Sequence, residues 1–382
     1  MILYPHKTSK ELRASLGLFW VLSRPKLVGA ILLLWKLLHY CKIPIKPFIG
    51  FSGYYQFCAG ESVSDCFKPS KSLYSFGVFT ALDYANEHAQ IKTDFDHNLQ
   101  VILETIDVAK NNKSYPFAVL KPSSLGSFEL LEKKSSGIMV SLSEEAAWEQ
   151  LKARFDACAG AAMQAGIILM IDAEESWIQP AVNELILPLV KRYNKTRVVI
   201  TINLQLYLKD SIDFYKNLVH DARANKYLLG VKLVRGAYME KERNRAHRLN
   251  LLSPVCNTKQ QTDNQYREAL QLTMYDLNDH VCIIASHNEQ DITWVKSYCK
   301  SNAIALGDKN LWFSQLYGMR DYLSFSLANE GANVVKYMPF GPLKQSIPYL
   351  TRRALENSAM KEQTIREREM IRKELKMRNA NA

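Results

Sequence analysis

The stretch "GIILMIDAE", residues 166–174, is an apolar run that changes abruptly to Asp172 and Glu174 at its end. Its aliphatic, partly β-branched composition favours a buried strand. Runs of the same kind recur along the chain, and amphipathic helical patterns such as residues 143–166 lie between them. The seven other runs cover residues 75–84, 117–121, 197–205, 229–238, 281–288, 311–318 and 333–341.

Eight apolar strands that alternate with helices are typical of parallel β/α architecture, and eight such units fit a TIM-type (β/α)8 barrel better than an open sheet. No GxGxxG follows the first strand and the chain contains no GxxxxGK[ST], so a Rossmann or P-loop site is unsupported. We therefore predict an α/β fold with a helical N-terminal extension over residues 1–70, the barrel over 71–360 and a basic helical tail over 361–382.

Most of the predicted strands end in a polar or charged residue. In a barrel these carboxyl ends meet at one mouth, which is where active sites of this fold lie. Because buried polar groups need partners, packing alone explains such a pattern poorly, and we predict a functional site at the mouth. The strand-end residues are Lys121, Asp172 with Glu174, Gln205, Lys232 with Arg235, Ser286 with His287, Gln315 and Tyr337.

The segment "YLTRRALENS", residues 349–358, places two arginines side by side after the last strand. Ser346 as a cap and Pro348 in the first turn predict the start of a helix. One reading is a solvated helix face with an ion pair, and the other is an anion site. The position after the last strand favours the anion site. Its members share one helix face: Tyr349, Arg352, Arg353 and Glu356.

Composition indicates a globular protein with a sizeable core, since 47% of the residues are hydrophobic and 10% are aromatic. The seven cysteines form no CxxC pair and no His-rich cluster accompanies them. We therefore expect free thiols in a reducing compartment and no metal site.

The net charge of +11 is concentrated at the two ends of the chain. Residues 1–50 hold eight Lys and Arg against one acid, and residues 361–382 hold seven against four, so the middle is nearly neutral. A nucleic-acid-binding surface usually crosses the folded body, and we expect none here. Basic ends point instead to a membrane surface, a partner or solubility.

The N-terminal part also contains "LVGAILLLWKLLHY", residues 27–40, which is apolar apart from Lys36 and His39. It is too short to span a bilayer and it is flanked by basic residues. Two interpretations remain open: a buried core helix, or a helix that lies in the membrane interface.

Seven motifs resemble those of the proline dehydrogenase family, the flavin-dependent barrel enzymes of proline catabolism. The resemblance covers residues 75–358 and rests on the order and spacing of the motifs at successive strand ends. They are "LKPSSLG" (120–126), "IDAEES" (171–176), "KLVRGAY" (232–238), "ASHN" (285–288), "QLYGM" (315–319), "YMPFGPL" (337–343) and "YLTRRALEN" (349–357).

The resemblance implies a distorted (β/α)8 barrel that binds FAD non-covalently and oxidises L-proline to 1-pyrroline-5-carboxylate. By position, Arg352, Arg353 and Lys121 correspond to a clamp on the substrate carboxylate, and Glu356 holds the arginines. Contacts to the pyrrolidine ring are expected from Tyr337, Tyr349, Leu233 and Tyr238.

The resemblance also implies two catalytic positions and a set of cofactor contacts. Asp172 belongs to the catalytic constellation. Lys232 stands where the family places a basic residue beside the flavin, and a cation there favours the reduced, electron-rich flavin. Gly236 is expected to let the backbone approach a ligand. The expected cofactor contacts are Ala173, Gln205, Arg235, Gly236, Ala237, Ser286 and His287.

Two positions bear on subgroup and specificity. Many bacterial members carry Arg at position 232, whereas eukaryotic members resemble "KLVRGAY", so Lys232 indicates that subgroup. The hydroxyproline-oxidising branch has a small residue at position 337, and a tyrosine there would crowd a ring hydroxyl. We therefore expect L-proline as the substrate.

The family passes its electrons to a membrane quinone, which fits peripheral attachment through the basic, apolar N-terminus. We expect a monofunctional enzyme in the cytoplasm or on the inner face of a membrane, mitochondrial if the source is eukaryotic. Pyrroline-5-carboxylate dehydrogenase is the expected downstream enzyme.

Three alternatives remain open. The first is a dehydrogenase of hydroxyproline or a related cyclic amino acid. The second is a flavin-free barrel that uses Arg352 and Arg353 to bind a phosphoester. The third is a non-enzymatic adaptor that binds membrane or nucleic acid through its basic ends, although an adaptor has no need to keep Lys121, Asp172 and Arg353 together.

Overall fold

The computed structural model describes residues 2–40, 53–85, 91–359 and 361–380. Eight parallel strands close into a barrel in chain order, with the first strand paired to the last. The predicted barrel is therefore confirmed, and each predicted apolar run overlaps one strand. The strands are β1 Val78–Tyr84, β2 Phe117–Leu120, β3 Ile168–Ile171, β4 Ile200–Gln205, β5 Leu229–Val234, β6 His280–Ala285, β7 Leu311–Leu316 and β8 Val334–Phe340.

Helices surround the barrel, and the chain is also helical near both of its ends. Short 3-10 helices span Ser64–Cys66 and Ser176–Ile178. The α-helices are α1 Ser9–Leu22, α2 Pro25–Tyr40, α3 Tyr54–Phe57, α4 Phe67–Tyr74, α5 Lys92–Lys110, α6 Pro122–Leu125, α7 Phe128–Ser135, α8 Leu142–Ala165, α9 Gln179–Tyr193, α10 Ser211–Ala224, α11 Met239–Arg248, α12 Lys259–Tyr275, α13 Glu289–Ser301, α14 Asp321–Asn329, α15 Leu343–Ala359 and α16 Lys361–Ala380.

Local sequence accounts for the long helix predicted over residues 143–166. Ser141 accepts a hydrogen bond from the Glu144 amide, and the Glu144 carboxylate accepts one from the Ser141 amide. This capping box satisfies two amides that the first turn leaves without partners. Gly166 ends the helix in the left-handed conformation, at φ 75°.

The strands alternate between two apolar layers, because successive side chains of a strand point to opposite faces. Phe117, Met170 and Ile283 fill the barrel interior. Their chain neighbours Ala118 and Ile171 pack outward in the larger core between strands and helices. This alternation of inward and outward side chains decides which strand-end residues reach the mouth of the barrel.

The two chain ends share a separate apolar core. Tyr4, Leu12 and Phe19 pack with Ile371 of α16 and with Tyr349 of α15. The Arg378 guanidinium donates hydrogen bonds to the Tyr4 and Lys7 carbonyls at 2.8 and 2.7 Å. The N-terminal segment and the C-terminal helix are therefore held against each other and against the barrel.

The apolar stretch at residues 27–40 forms most of α2. Val28 is buried, but Leu27, Ile31, Leu33 and Leu34 are 39%, 40%, 59% and 53% exposed. The buried-helix interpretation is therefore wrong for these four side chains. No helix in the described ranges is long and apolar enough to cross a membrane.

The arginine-bearing helix α15 begins earlier than the sequence predicts. It starts at Leu343, since the Pro342 carbonyl accepts the amides of Gln345 and Ser346. Ser346 is therefore a helical residue rather than the cap, and its hydroxyl donates to the Gly341 carbonyl. Pro348 lies inside the helix rather than in its first turn.

The prediction of free thiols is confirmed for the six cysteines that the structure describes, all of which are buried and unpaired. Cys41 lies outside the described residues. Burial raises the pKa of the Cys158 and Cys282 thiols to about 12, which keeps them protonated and unreactive.

Candidate active site

Four strands bring predicted site residues together at the carboxyl ends of the barrel. Lys121 and Asp172 follow directly after β2 and β3, and Lys232 and Tyr337 lie within β5 and β8. Asp172 is the centre of the group. Its carboxylate accepts hydrogen bonds from Lys232 Nζ at 2.7 Å, from the Tyr337 hydroxyl at 2.6 Å and from Asn203 Nδ2 at 3.4 Å.

The charges of this group stabilise each other. Burial alone raises the pKa of Asp172, but the ammonium groups of Lys232 and Lys121 outweigh burial and hold that pKa below its usual range. Burial and the charges of Asp172 and Asp83 raise the pKa of Tyr337 well above its usual range. Asp172 is therefore ionised, and the Tyr337 hydroxyl remains a hydrogen-bond donor.

Asp83, at the end of β1, is a member of the site that the sequence analysis missed. It forms a buried ion pair with Lys121. The signal was present, because Asp83 is the polar residue near the end of the run "VFTALDY". The sequence analysis also missed Asn203 on β4, whose side chain donates a hydrogen bond to Asp172.

The arginine pair lies on α15, which follows β8. Arg353 is 7% exposed, and its two terminal nitrogens contact the two oxygens of Glu356 at 2.6 Å each. Burial raises the pKa of Glu356, and the charges of Arg353 and Arg352 oppose that rise. The predicted pairing of Glu356 with the arginines is thus present as a bidentate contact, which fixes the plane of the Arg353 guanidinium.

An aromatic ring flanks each arginine. The Arg353 guanidinium lies 5.3 Å from the centre of the Tyr349 ring, and the Arg352 guanidinium lies 5.7 Å from that of Tyr238. Lys232 Nζ lies 4.5 Å from the centre of the Tyr337 ring. Cation–π contacts of this kind hold cations in place without neutralising their charge.

Seven ionisable side chains form what we call the mouth cluster. Four are cations and three are carboxylates, so the cluster carries a net charge of +1 when all are ionised. The members are Lys121, Lys232, Arg352, Arg353, Asp83, Asp172 and Glu356.

Arg235 and Ser286 join the ends of β5 and β6. Arg235 donates to Asp263 at 2.8 Å and to Asp291 at 2.7 Å, and its Nη1 reaches Ser286 Oγ at 3.2 Å. Ser286 Oγ in turn donates to Asp291 at 2.7 Å. Both predicted cofactor contacts are therefore held in place by protein partners.

His287 carries a ring nitrogen that the described protein does not satisfy. Its Nε2 accepts the Leu316 amide at 3.5 Å, and its buried Nδ1 has no hydrogen-bond partner among the described residues. Burial and the positive charges of Arg320, Lys336 and Arg353 lower the pKa of His287 well below its usual range. The ring is therefore neutral, with a hydrogen on Nδ1 available to a ligand.

The remaining predicted cofactor contacts lie along the same rim. Gln205, at the end of β4, donates to the Glu174 carbonyl at 2.7 Å. Ala173 is half-buried and Ala237 is exposed. Gly236 has φ 130°, and a Cβ there would lie 2.1 Å from the Tyr207 ring. The glycine is thus required by Tyr207 and by its backbone conformation, which is a different reason from the expected approach of a ligand.

Leu233 and Gln315, both predicted from the sequence, point away from the barrel interior. Leu233 is fully buried in the core between strands and helices, because it follows the inward-pointing Lys232. Gln315 accepts a hydrogen bond from Ser324 of α14 at 2.9 Å and also lies outside the barrel interior. The two-residue period of a strand explains both cases.

Comparison with known proteins gives consistent matches. The family model described as "Proline dehydrogenase" matches residues 66–366. The carbapenem antibiotics biosynthesis protein CarD of Pectobacterium carotovorum subsp. carotovorum is 35% identical over 316 residues, covering 83% of this chain and 82% of that protein. Proline dehydrogenase 1, mitochondrial, of Dictyostelium discoideum is 32% identical over 357 residues, covering 82% of this chain and 62% of that protein.

Solved structures show the same fold. The barrel superposes on proline utilization A (PutA) from Bdellovibrio bacteriovorus with a TM-score of 0.70 at 21% sequence identity. The match covers 80% of this chain and 33% of that much longer chain. This chain therefore corresponds in fold to about one third of that PutA chain.

Proposed function

This chain belongs to the proline dehydrogenase family, and from that premise we propose that it catalyses the FAD-dependent oxidation of L-proline to 1-pyrroline-5-carboxylate. The observation that carries the proposal is the mouth cluster. It combines a net charge of +1, an arginine held by a bidentate carboxylate, and tyrosine rings beside the cations. This arrangement suits a small cyclic amino acid that presents one carboxylate and an apolar ring.

We propose that Arg352, Arg353 and Lys121 bind the substrate carboxylate. Glu356 orients Arg353, and Asp83 orients Lys121, so that both cations are in position before the substrate arrives. Groups held in the bound geometry lose less freedom on binding, and this lowers the barrier to reaction. Tyr337, Tyr349 and Tyr238 then supply the apolar walls for the ring.

Leu233 takes no direct part in this arrangement. Its side chain packs in the core between the strands and helices. We propose that Leu233 supports the neighbouring Lys232 through the backbone of β5 instead of contacting the ring.

The polar groups at the rim fit the FAD that the family implies. The buried Nδ1 of His287 has no partner within the described residues, and a bound cofactor would satisfy it. A bound FAD would supply the acceptor for the hydride that leaves the ring carbon next to the substrate nitrogen. We propose that the residues holding it are Ala173, Gln205, Arg235, Gly236, Ala237, Ser286 and His287.

Asp172 acts in this proposal as a positioning residue. Two of its neighbours, Lys232 and Tyr337, donate to different carboxylate oxygens, and its pKa lies below the usual range. A carboxylate with a low pKa is a weak base at neutral pH. Asp172 therefore holds the charge of Lys232 in place, and this fixed positive charge favours a more electron-rich reduced cofactor.

We further propose that the electrons pass to a quinone in a membrane and that the enzyme binds the membrane surface near its N-terminus. The exposed apolar side chains of α2 support this proposal. The product then requires an enzyme that oxidises it further, such as pyrroline-5-carboxylate dehydrogenase. Deleting residues 1–50 would be a poor test of attachment, because His6 and Lys7 contact the buried Asp321 of the barrel.

The first test is the absorbance spectrum of the purified chain before and after L-proline is added without oxygen. We expect a flavin band that bleaches with L-proline and does not bleach with hydroxyproline. A flavin that stays oxidised with L-proline but is reduced by another cyclic amino acid would identify that compound, rather than L-proline, as the substrate. A colourless protein that cannot be reconstituted with FAD would overturn the proposal in favour of a phosphate-binding barrel or an adaptor.

A further inference from the structure

Three arginines from opposite ends of the chain meet at the turn between α1 and α2. Arg24 precedes α2, and its guanidinium lies 3.4 Å from the centre of the Trp20 ring. Arg368 and Arg372 lie one turn apart on α16, and Arg368 Nη1 donates to Ser23 Oγ at 3.5 Å. We call Arg24, Arg368 and Arg372 the arginine corner.

Among the described residues, no carboxylate forms an ion pair with the arginine corner. None of its three guanidiniums lies within 4.0 Å of a carboxylate in the part of the chain that the structure describes. By contrast, Arg366 and Arg378 of the same helix pair with Glu289 and Glu374. A group of cations without an ion-paired carboxylate creates a positive potential that attracts an anion from outside.

Arg368 shows the cost of this grouping. Its buried Nε has no hydrogen-bond partner among the described residues. Burial, together with the positive charges of Arg372 and Arg24, lowers its pKa. An anion between the three guanidiniums would satisfy the buried nitrogen and relieve the repulsion.

An exposed apolar stripe begins at the arginine corner. The Arg24 carbonyl accepts the amides of Leu27 and Val28 and so starts α2. Leu27, Ile31 and Leu34 follow at spacings of three and four residues, which places them on one helix face together with Arg24. All three are exposed, and the neighbouring Leu33 is as well. A free phosphate would contact the arginines but not the apolar stripe. A phospholipid presents both an anionic headgroup for the arginines and apolar chains for the stripe.

We propose that the arginine corner binds the phosphate headgroups of anionic phospholipids while the stripe of α2 enters the interfacial layer of the membrane. The inference rests on the proposed membrane attachment and assigns it to residues of both chain ends. The C-terminal helix α16 thus contributes two of the three headgroup ligands. The stripe sets the orientation, because α2 must lie along the membrane surface for Leu27, Ile31 and Leu34 to enter together.

The test is co-sedimentation of the full-length, flavin-loaded chain with phosphatidylcholine vesicles that contain or lack phosphatidylglycerol. The variant R24Q/R368Q/R372Q should bind the anionic vesicles about 100-fold more weakly than the unmodified chain. The matched control K110Q/K300Q/K309Q removes the same charge from exposed positions and should bind within twofold of it. L27S/I31S/L34S should also lose binding.

Each contrary outcome overturns the inference. An equal loss in both triple variants would mean that overall charge alone attracts the chain to lipid. Equal binding to vesicles without phosphatidylglycerol would exclude headgroup recognition. Stabilisation by inorganic phosphate in the absence of vesicle binding would indicate a free-phosphate site. Proline oxidation with a soluble acceptor should be the same in all these variants, so a failure of the proposed enzymatic function would be seen separately.

Discussion

Adjacent residues of β8 face two different clusters of ionisable groups. Tyr337 points into the mouth cluster, and Lys336 points to the opposite face, into what we call the rear cluster. Lys336 is fully buried there, with Nζ 2.8 Å from Asp321 and 2.6 Å from the Met319 carbonyl. The members of the rear cluster are His6, Lys7, Asp321, Lys336 and Glu367.

The two clusters differ in what they leave for a ligand. In the rear cluster His6 and Lys7 approach Asp321 at 3.3 and 3.4 Å, and Glu367 accepts the Tyr4 hydroxyl at 3.0 Å. Its interactions join the N-terminal segment and α16 to the barrel. The mouth cluster, by contrast, holds four cations and three carboxylates among the described residues. We therefore propose that buried charges on one face of β8 maintain the fold, while those on the other face bind substrate.

The largest effect on stability should come from Lys336→Met. Removing this ammonium leaves the buried Asp321 with weaker partners, and breaking a buried pair costs about 3–5 kcal/mol. Urea denaturation of the flavin-loaded protein should show this loss in the free energy of unfolding. The exposed Lys300→Met should change it by less than about 0.5 kcal/mol. A loss below about 1 kcal/mol for Lys336→Met would show that the rear cluster does not hold the fold together.

Substitutions in the mouth cluster should change the enzymatic activity instead of the stability. Arg353→Met should lower kcat/KM for L-proline on the order of 10²–10³-fold, because the substrate carboxylate loses a buried charged partner. Pyrrolidine, which lacks the carboxylate, should be oxidised by the variant and the unmodified enzyme at similar rates. Arg353→Lys should recover part of the activity. Equal losses for L-proline and pyrrolidine would exclude Arg353 as a carboxylate ligand.

The clusters should also differ in pH dependence. Burial and the nearby charge of Asp321 raise the pKa of Glu367 from 4.5 to about 7. Because the folded state holds this proton more tightly, its contribution to stability is complete below about pH 4.5 and is lost as the pH rises to about 7, a change of about 3 kcal/mol. Asp172, whose pKa is lowered, loses its contribution only as the pH falls through its own acidic range.

Glu367→Gln tests this difference. The free energy of unfolding measured between pH 5 and 8 should fall less steeply with pH in the variant. His6, whose burial lowers its pKa, contributes the opposite slope in both proteins, so the difference between them isolates Glu367. Identical slopes would show that Glu367 does not titrate in this range.

The smallest effect concerns the choice of substrate. Tyr337→Ser should raise the ratio of kcat/KM for hydroxyproline to that for L-proline about 10- to 100-fold, because it makes room for a ring hydroxyl and a pocket contact of this size contributes about 1–3 kcal/mol. Tyr349→Phe keeps the ring and should leave the ratio unchanged. An unchanged ratio in Tyr337→Ser would place the specificity contact elsewhere.

Much of the barrel and of its mouth could be predicted from the sequence. Each apolar run became a strand, since β-branched residues between polar ends are a local signal. Lys121, Asp172, Lys232 and Tyr337 converge because parallel strands bring their carboxyl ends to one edge. The sequence analysis expected Leu233 and Gln315 at the mouth because it did not apply the two-residue period of a strand, which turns both side chains outward. It missed Asp83, although this residue is also a polar residue near the end of an apolar run.

By itself, the sequence determined where the strands lie and which chemical groups stand at their ends, because both depend on residues that are near neighbours in the chain. Only the tertiary structure decided that Tyr4 meets Glu367, that Lys336 is buried against Asp321, and that Arg24 lies beside Arg368. Tyr4 and Glu367, and likewise Arg24 and Arg368, are more than 300 residues apart in sequence, while Asp321 and Lys336 belong to consecutive elements. Their charges carry no local pattern. Packing of both chain ends on the closed barrel brings Tyr4 to Glu367 and Arg24 to Arg368, and packing of α14 on β8 brings Asp321 to Lys336.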